Sequence, residues 1–190
     1  MKKFSKLQQE PTGPAVESAV QWDGGNMQVL KIEEWDVLQE RDMVIALPYI
    51  VAYNQIVVRS EHIPPYTVRF PGTANFLTLM SGSIEEGEEP AAALRRELEE
   101  ECGIVLRDMY KPDKLAELMV FKGGTAKYHI YILPLKEKDY TQVAIKTDGT
   151  QSEAKSSCVY VPIVKLKGLK PVDIVTAYVL EVFNRDYRVL

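Results

Sequence analysis

Residues Gly82 to Ile104 read GSIEEGEEPAAALRRELEEECGI, and the reading of this stretch decides how the rest of the chain is read. It opens on a glycine, crosses an acidic loop to Pro90, and continues in helix-favouring residues as far as Gly103. Proline at the first helical position and glycine just past the last are start and stop signals. Inside the helix so defined, Glu97, Glu100 and Glu101 stand three and four residues apart and share one face. Ala91, Leu94, Leu98 and Cys102 form a neighbouring apolar stripe suited to packing on a core. Arg96 flanks the carboxylates.

Like charges at this spacing destabilise a helix by about 0.2–0.5 kcal/mol per pair. One reading is a solvated acidic face tempered by Arg95 and Arg96. The other is a site for a hard divalent cation, which prefers carboxylate oxygens and neutralises the cluster. The complete spacing favours the second. Gly82, five residues, Glu88, seven residues, Arg96-Glu97-Leu98, one residue, Glu100-Glu101, one residue, Gly103-Ile104 is a seven-position pattern plus two apolar sites. At about one in fifteen per position, chance supplies it on the order of once in 10^8 windows.

Every position of that pattern matches the Nudix box, and the chain resembles the Nudix hydrolases. The resemblance implies an α/β fold in which a mixed β-sheet is sandwiched between helices. It also implies that Glu97, Glu100 and Glu101 hold Mg²⁺ or Mn²⁺, with the backbone carbonyl of Ser81 completing the metal site. Glu88 and Arg96 take structural roles by the same resemblance, pairing to fix the loop on the helix, and Gly82 and Gly103 shape its ends. The implied chemistry is attack of water on a phosphorus of a nucleoside diphosphate linked to another group. A pyrophosphate needs its charge neutralised and its attacking water deprotonated, and clustered metal ions do both.

Composition sets the frame. A chain of 190 residues, 46% hydrophobic and 26% charged, is sized for one globular domain with a sizeable core. A formal net charge of −4 argues against a nucleic-acid partner, whose phosphates need a basic face. Cys102 and Cys158 lack metal-ligand spacing and read as buried free thiols in a reducing compartment. No signal peptide and no apolar stretch of membrane-spanning length is visible, so the expectation is a cytoplasmic enzyme with no membrane partner.

Along the chain, 1–16 reads as a flexible arm and 17–190 as a single domain. Its first part, 17–40, is an N-terminal β-hairpin element around Asp23-Gly24-Gly25-Asn26, followed by WDVLQE. MVIALPYIVAY (43–53) is the most apolar strand before the box and is expected at the centre of the sheet. IVVRSEHI (56–63) follows, ended by Pro64-Pro65. VLRDMYKPDK reads as a connector, 115–121 and 126–135 as strands, and 136–156 as a long polar loop of functional character. SCVYVPIVKL reads as the last strand. A final helix carries Ile174, Val175, Tyr178, Val179, Val182 and Phe183 on the face expected to cover the sheet opposite the box helix. His129 reads as a satisfied sheet residue and His62 as a loop residue.

The front half resembles the ADP-ribose and ADP-sugar pyrophosphatase branch, in which a small N-terminal β-element precedes the fold. That likeness implies a nucleotide-sugar substrate and a homodimer built through 17–40. The branch's Pro-Ala pair before the first glycine is Met80-Ser81 here, and Met119 stands where many ADP-ribose hydrolases carry a proline. Dinucleoside polyphosphates or other nucleotide pyrophosphates therefore stay open as substrates, as does a nucleotide-sensing domain without catalysis. Arg59 and Arg69 are candidate phosphate clamps, equally readable as surface arginines, and Trp22 and Trp35 are candidate base-stacking residues, with core or interface packing as the more ordinary reading. The resemblance implies a catalytic glutamate on the loop before the last strand. Glu153 is placed there, with Asp148 as its rival.

Overall fold

The computed structural model describes residues 19–23, 27–73, 75–120, 123–145, 156–171 and 173–187. The arm at 1–16 and the turn at 24–26 lie outside them. Among the described residues, β1 (Ala19–Asp23), β2 (Met27–Ile32) and β3 (Trp35–Glu40) form an antiparallel three-stranded sheet. It joins the rest through Leu38, whose N–H donates to the Gly123 carbonyl at 2.8 Å and whose carbonyl accepts from the Thr125 N–H at 3.0 Å.

The central sheet is built on β4 (Met43–Ile50). Its run MVIALPYI is buried on both faces, as a strand flanked on both sides requires. β5 (Gln55–Glu61) and β10 (Lys127–Leu135) flank it, the first antiparallel and the second parallel, so the sheet is mixed. β12 (Ser157–Pro162) and β9 (Lys114–Met119) complete the order β12-β5-β4-β10-β9. β6 (Phe76–Thr78) adds to β5, and β7 (Met80–Ser83) adds to β4.

Successive strand residues point to opposite faces, and that alternation divides the core in two. Ile45, Leu47 and Tyr49 of β4, with Ile56 and Val58 of β5 and Ile130 and Ile132 of β10, pack under α3 (Ile174–Asp186). Val44 and Ala46, with Val57, Tyr131 and Leu133, pack under α2 (Pro90–Cys102), the box helix. The two helices cover opposite faces, as the sequence led us to expect.

The detail differs in several places. The apolar stripe of α2 uses Ala93 rather than Ala91, which is exposed. In α3 the buried face is Val175, Thr176, Val179, Leu180, Val182 and Phe183, while Ile174 and Tyr178 are exposed. The helix starts at the Asp173 cap, whose carboxylate accepts from the Thr176 N–H at 2.7 Å. Arg69 ends a short helix, α1 (Pro64–Arg69), instead of lying on a strand; the proline pair starts that helix. The connector after the box begins as β8 (Ile104–Leu106), which pairs with β11 (Tyr140–Gln142) inside the expected loop. Three-residue strands are too short for periodicity to reveal. His129 is buried, its Nδ1 3.4 Å from Glu117 Oε2. Among the described residues, no helix is long and apolar enough to cross a membrane.

Candidate active site

The box folds as a strand, a loop and a helix that bring its charged groups together. Pro90 opens α2 at its first turn, and Gly103 closes it at φ +64°, where its N–H donates to the Glu99 carbonyl at 3.0 Å. Glycine is required there on two counts. The left-handed conformation disfavours a side chain, and an added Cβ would sit 2.3 Å from the Val143 carbonyl oxygen. At the other end of the box, an added Cβ on Gly82 would lie 1.9 Å from Glu97 Oε1. Glu97 therefore packs directly on the bare backbone of β7.

Arg96 ties the acidic loop to the helix. Its Nε and Nη2 donate to the two oxygens of Glu88 at 3.1 and 3.0 Å, and Nη2 also donates to the Ser83 carbonyl at 2.9 Å. Its Nη1 reaches Glu97 Oε1 at 2.7 Å and Glu100 Oε2 at 3.2 Å. The paired guanidinium holds the Glu88 carboxyl below the usual carboxylate range despite some burial. Burial pushes the Glu97 carboxyl up, against the pull of Arg96.

Glu101 has a separate partner. Arg59 shares the pleat face of Val57, so its side chain enters beneath α2. Its Nη2 lies 3.2 Å from Glu101 Oε1, and its Nη1 donates to the Glu101 backbone carbonyl at 3.2 Å. The Ser81 N–H donates to Glu101 Oε2 at 3.3 Å. Both side chains are nearly buried, 7% and 11% exposed, and the Arg59 Nε has no hydrogen-bond partner. Burial lifts the Glu101 carboxyl to about 8, with Arg59 opposing and the charges of Glu97 and Glu61 adding to the rise. One guanidinium does not fully compensate this carboxylate.

The structure thus gathers Arg59, Ser81, Gly82, Glu88, Arg96, Glu97, Glu100, Glu101 and Gly103. Arg59 faces Glu101 instead of open solvent. Arg69 is exposed at the end of α1, and Trp35 is exposed on β3. The Trp22 side chain, Glu153 and Asp148 lie outside the described residues. Beside Ser81 opens a cleft of about 160 Å³ whose polar lining comes from Glu61, Tyr66, Thr78, Ser81, Asp173 and Thr176. Glu61, Tyr66 and Asp173 escaped the reading of the sequence. Glu61 had a signal, standing two residues after Arg59 on one strand; Asp173 and Tyr66 are brought in only by the packing of α3 and α1.

In this arrangement each carboxylate turns to an arginine. Among the described residues, no three His, Cys, Asp or Glu side chains are gathered into a metal cage. The donor chemistry nevertheless fits a hard divalent cation. Glu88, Glu97, Glu100 and Glu101 bring four carboxylates against the guanidiniums of Arg59 and Arg96, and all the donors are oxygens.

An α/β sandwich with a carboxylate-bearing helix against its sheet defines the class, and the family follows from the sequence. The NUDIX domain model matches residues 56–183, more than half of the chain, so the chain belongs to the Nudix family. With its box intact it is a Nudix pyrophosphohydrolase, a class that acts on small-molecule nucleotides. No curated protein matches the sequence. Among solved structures, an ADP compounds hydrolase superposes with a TM-score of 0.65 at 17% identity, covering 97% of this chain and 100% of that one. At that identity the likeness is one of fold.

The two positive-φ glycines of the box give a test with an internal control. Gly87→Ala meets open space at φ +78° and should cost about 1–2 kcal/mol, the left-handed penalty alone. Gly103→Ala adds a clash with backbone and should cost at least about 1 kcal/mol more. Urea unfolding of both variants measures this, and equal costs would contradict the tight seat of Val143 on the helix end.

Proposed function

We propose that this enzyme hydrolyses the pyrophosphate bond of ADP-ribose or another nucleotide sugar, with a divalent cation held by the box. The observation that carries the reading is the charge excess at the box. Glu88 in the loop and Glu97, Glu100 and Glu101 on α2 face two guanidiniums, those of Arg59 and Arg96, and Glu101 is nearly buried with a raised pKa. Glu97, Glu100, Glu101 and the Ser81 carbonyl would hold Mg²⁺ or Mn²⁺. Bound there, the ion supplies neutralisation of the pyrophosphate oxygens and acidification of the attacking water.

The chain's own residues do the rest. Arg96 holds the Glu97 and Glu100 carboxylates on the helix face, and Arg59 holds Glu101 from below. Glu61 and Asp173, the carboxylates lining the small cleft beside Ser81, suit the hydroxyls of a sugar. That preference favours a nucleotide sugar over a dinucleoside polyphosphate. Arg69, Trp22 and Trp35 remain the candidates for contacts to the phosphates and base.

With the box carboxylates committed to the cation, Glu153 takes the proton from the attacking water. The segment that carries it is bracketed by contacts to the end of α2. On one side the Val143 N–H donates to the Gly103 carbonyl at 2.8 Å, and the Gln142 amide donates to the Cys102 carbonyl at 2.9 Å. On the other, the Cys158 thiol donates to the Glu101 carbonyl at 3.2 Å.

A panel of ADP-ribose, other nucleotide sugars, dinucleoside polyphosphates and NADH, scored for products with Mg²⁺ and with excess chelator, tests the assignment. Cleavage of ADP-ribose should require the cation. Glu101→Gln and Glu153→Gln should each lower turnover by roughly 10²–10⁴, the second with little change in metal affinity. Full activity in chelator, or an unaltered rate in Glu101→Gln, would overturn the metal assignment. If Asp148→Asn is inactive while Glu153→Gln is not, the base is Asp148.

The reading includes a cytoplasmic homodimer joined through β1–β3. In that sheet Leu30, 8% exposed, is the one described residue that is buried, while Val20 and Trp35 are exposed, and a small sheet needs an apolar partner for its face. Light scattering at micromolar concentration should give twice the 21.5 kDa chain mass, and a monomer would exclude this arrangement.

A further inference from the structure

Two sulfurs lie at the end of the box helix with no part in the hydrolysis. Cys102 is the last residue of α2 and is 1% exposed, whereas Cys158 on β12 is only partly buried. The β5–β12 register sets Cys158 opposite Arg59, and the pleat carries both side chains beneath the helix end. There the Cys158 and Cys102 sulfurs are 2.9 Å apart, both as free thiols. A disulfide bond is roughly 2.05 Å long, so about 0.9 Å of approach separates the pair from a covalent link. The two differ in access: solvent reaches Cys158, and Cys102 sits behind it.

We propose that Cys102 and Cys158 are a redox modification site, closing reversibly into an intrachain disulfide under a peroxide oxidant. In the first step the Cys158 sulfur attacks one oxygen of hydrogen peroxide. The O–O bond breaks, Cys158 becomes a sulfenic acid, and the departing hydroxide takes up the thiol proton as water. In the second, the Cys102 sulfur attacks the Cys158 sulfur. The S–S bond forms, the S–O bond breaks, and a second water leaves with the Cys102 proton. Two electrons from two thiols reduce one peroxide to two waters. A dithiol reductant reverses the change by thiol–disulfide exchange.

The link has a local consequence. It removes the thiol hydrogen that Cys158 donates to the Glu101 carbonyl, leaving Arg59 Nη1 as the donor there. It also ties β12 covalently to the residue next to Glu101. The proposal needs neither the cation nor a particular substrate.

The test uses the full chain, treated with hydrogen peroxide without denaturant and then mapped by peptide mass spectrometry under non-reducing conditions. Both thiols should disappear together, the peptides carrying residues 102 and 158 should be joined less two hydrogens, and dithiothreitol should restore both. In Cys102→Ser, and equally in Cys102→Ala, oxidation should stop at a sulfenic acid on Cys158 that a cyclic dione traps. Wild-type protein that accumulates sulfinic acid at Cys158 without the joined peptide, or that links between chains, overturns the assignment. So does oxidation of Cys102 in Cys158→Ser at the wild-type rate.

Discussion

The buried pair of Arg59 and Glu101 is the constraint on which the rest of the site depends. A carboxylate with 11% of its side chain exposed is costly to ionise, and a partner within hydrogen-bond distance is what makes it tolerable. Removing either member would strand the other. The pair also joins two elements far apart in sequence, because Arg59 comes from β5 and Glu101 from the last turn of α2. Strand alternation decides that Arg59 points at the helix, and helix phase decides that Glu101 points at the strand. A shift of one residue in either would turn the charge into an apolar core.

Arg96 plays the complementary part on the outer side of the helix. It binds Glu88 through two of its nitrogens, reaches Glu97 and Glu100 through a third, and holds the backbone at Ser83. Two arginines thus hold four carboxylates together, three of them on α2, where like-charge repulsion would otherwise oppose the helix. The end of the same helix is a meeting point as well. Arg95 donates to the carbonyls of Leu106, Arg107 and Tyr110, Gln142 and Val143 seat on Cys102 and Gly103, and Cys158 reaches Glu101 and Cys102. Gly103 permits this crowding because it has no Cβ.

Much of this was legible in the sequence because the box is local. Its spacing fixes a helix start, a helix stop and a shared carboxylate face within 23 residues, and the central place of β4 follows from an uninterrupted apolar run. Arg96 pairs with Glu88 as the resemblance implied. What the sequence hid is long-range or short. Arg59 was read as a candidate phosphate clamp or a surface group, and its contact with Glu101, 42 residues away, was not visible. The thiol pair spans 56 residues and shows no motif. β8 and β11 have three residues each, below the length at which alternation is distinguishable from chance. Ile174 and Tyr178 were assigned to the covered face of α3 because apolar character does not report phase. In the structure both are exposed, and Thr176 and Leu180 join the covered face.

We infer that the excess of carboxylates at the box exists to take a divalent cation. Titration of Mn²⁺ into the substrate-free protein, followed by calorimetry or by loss of the free-ion electron paramagnetic resonance signal, tests it without reliance on any substrate. The account predicts saturable binding to the wild type, weakened at least about tenfold, or roughly 1.4 kcal/mol, in Glu97→Gln and in Glu101→Gln. Equal Mn²⁺ affinity in the wild type and both variants would contradict it.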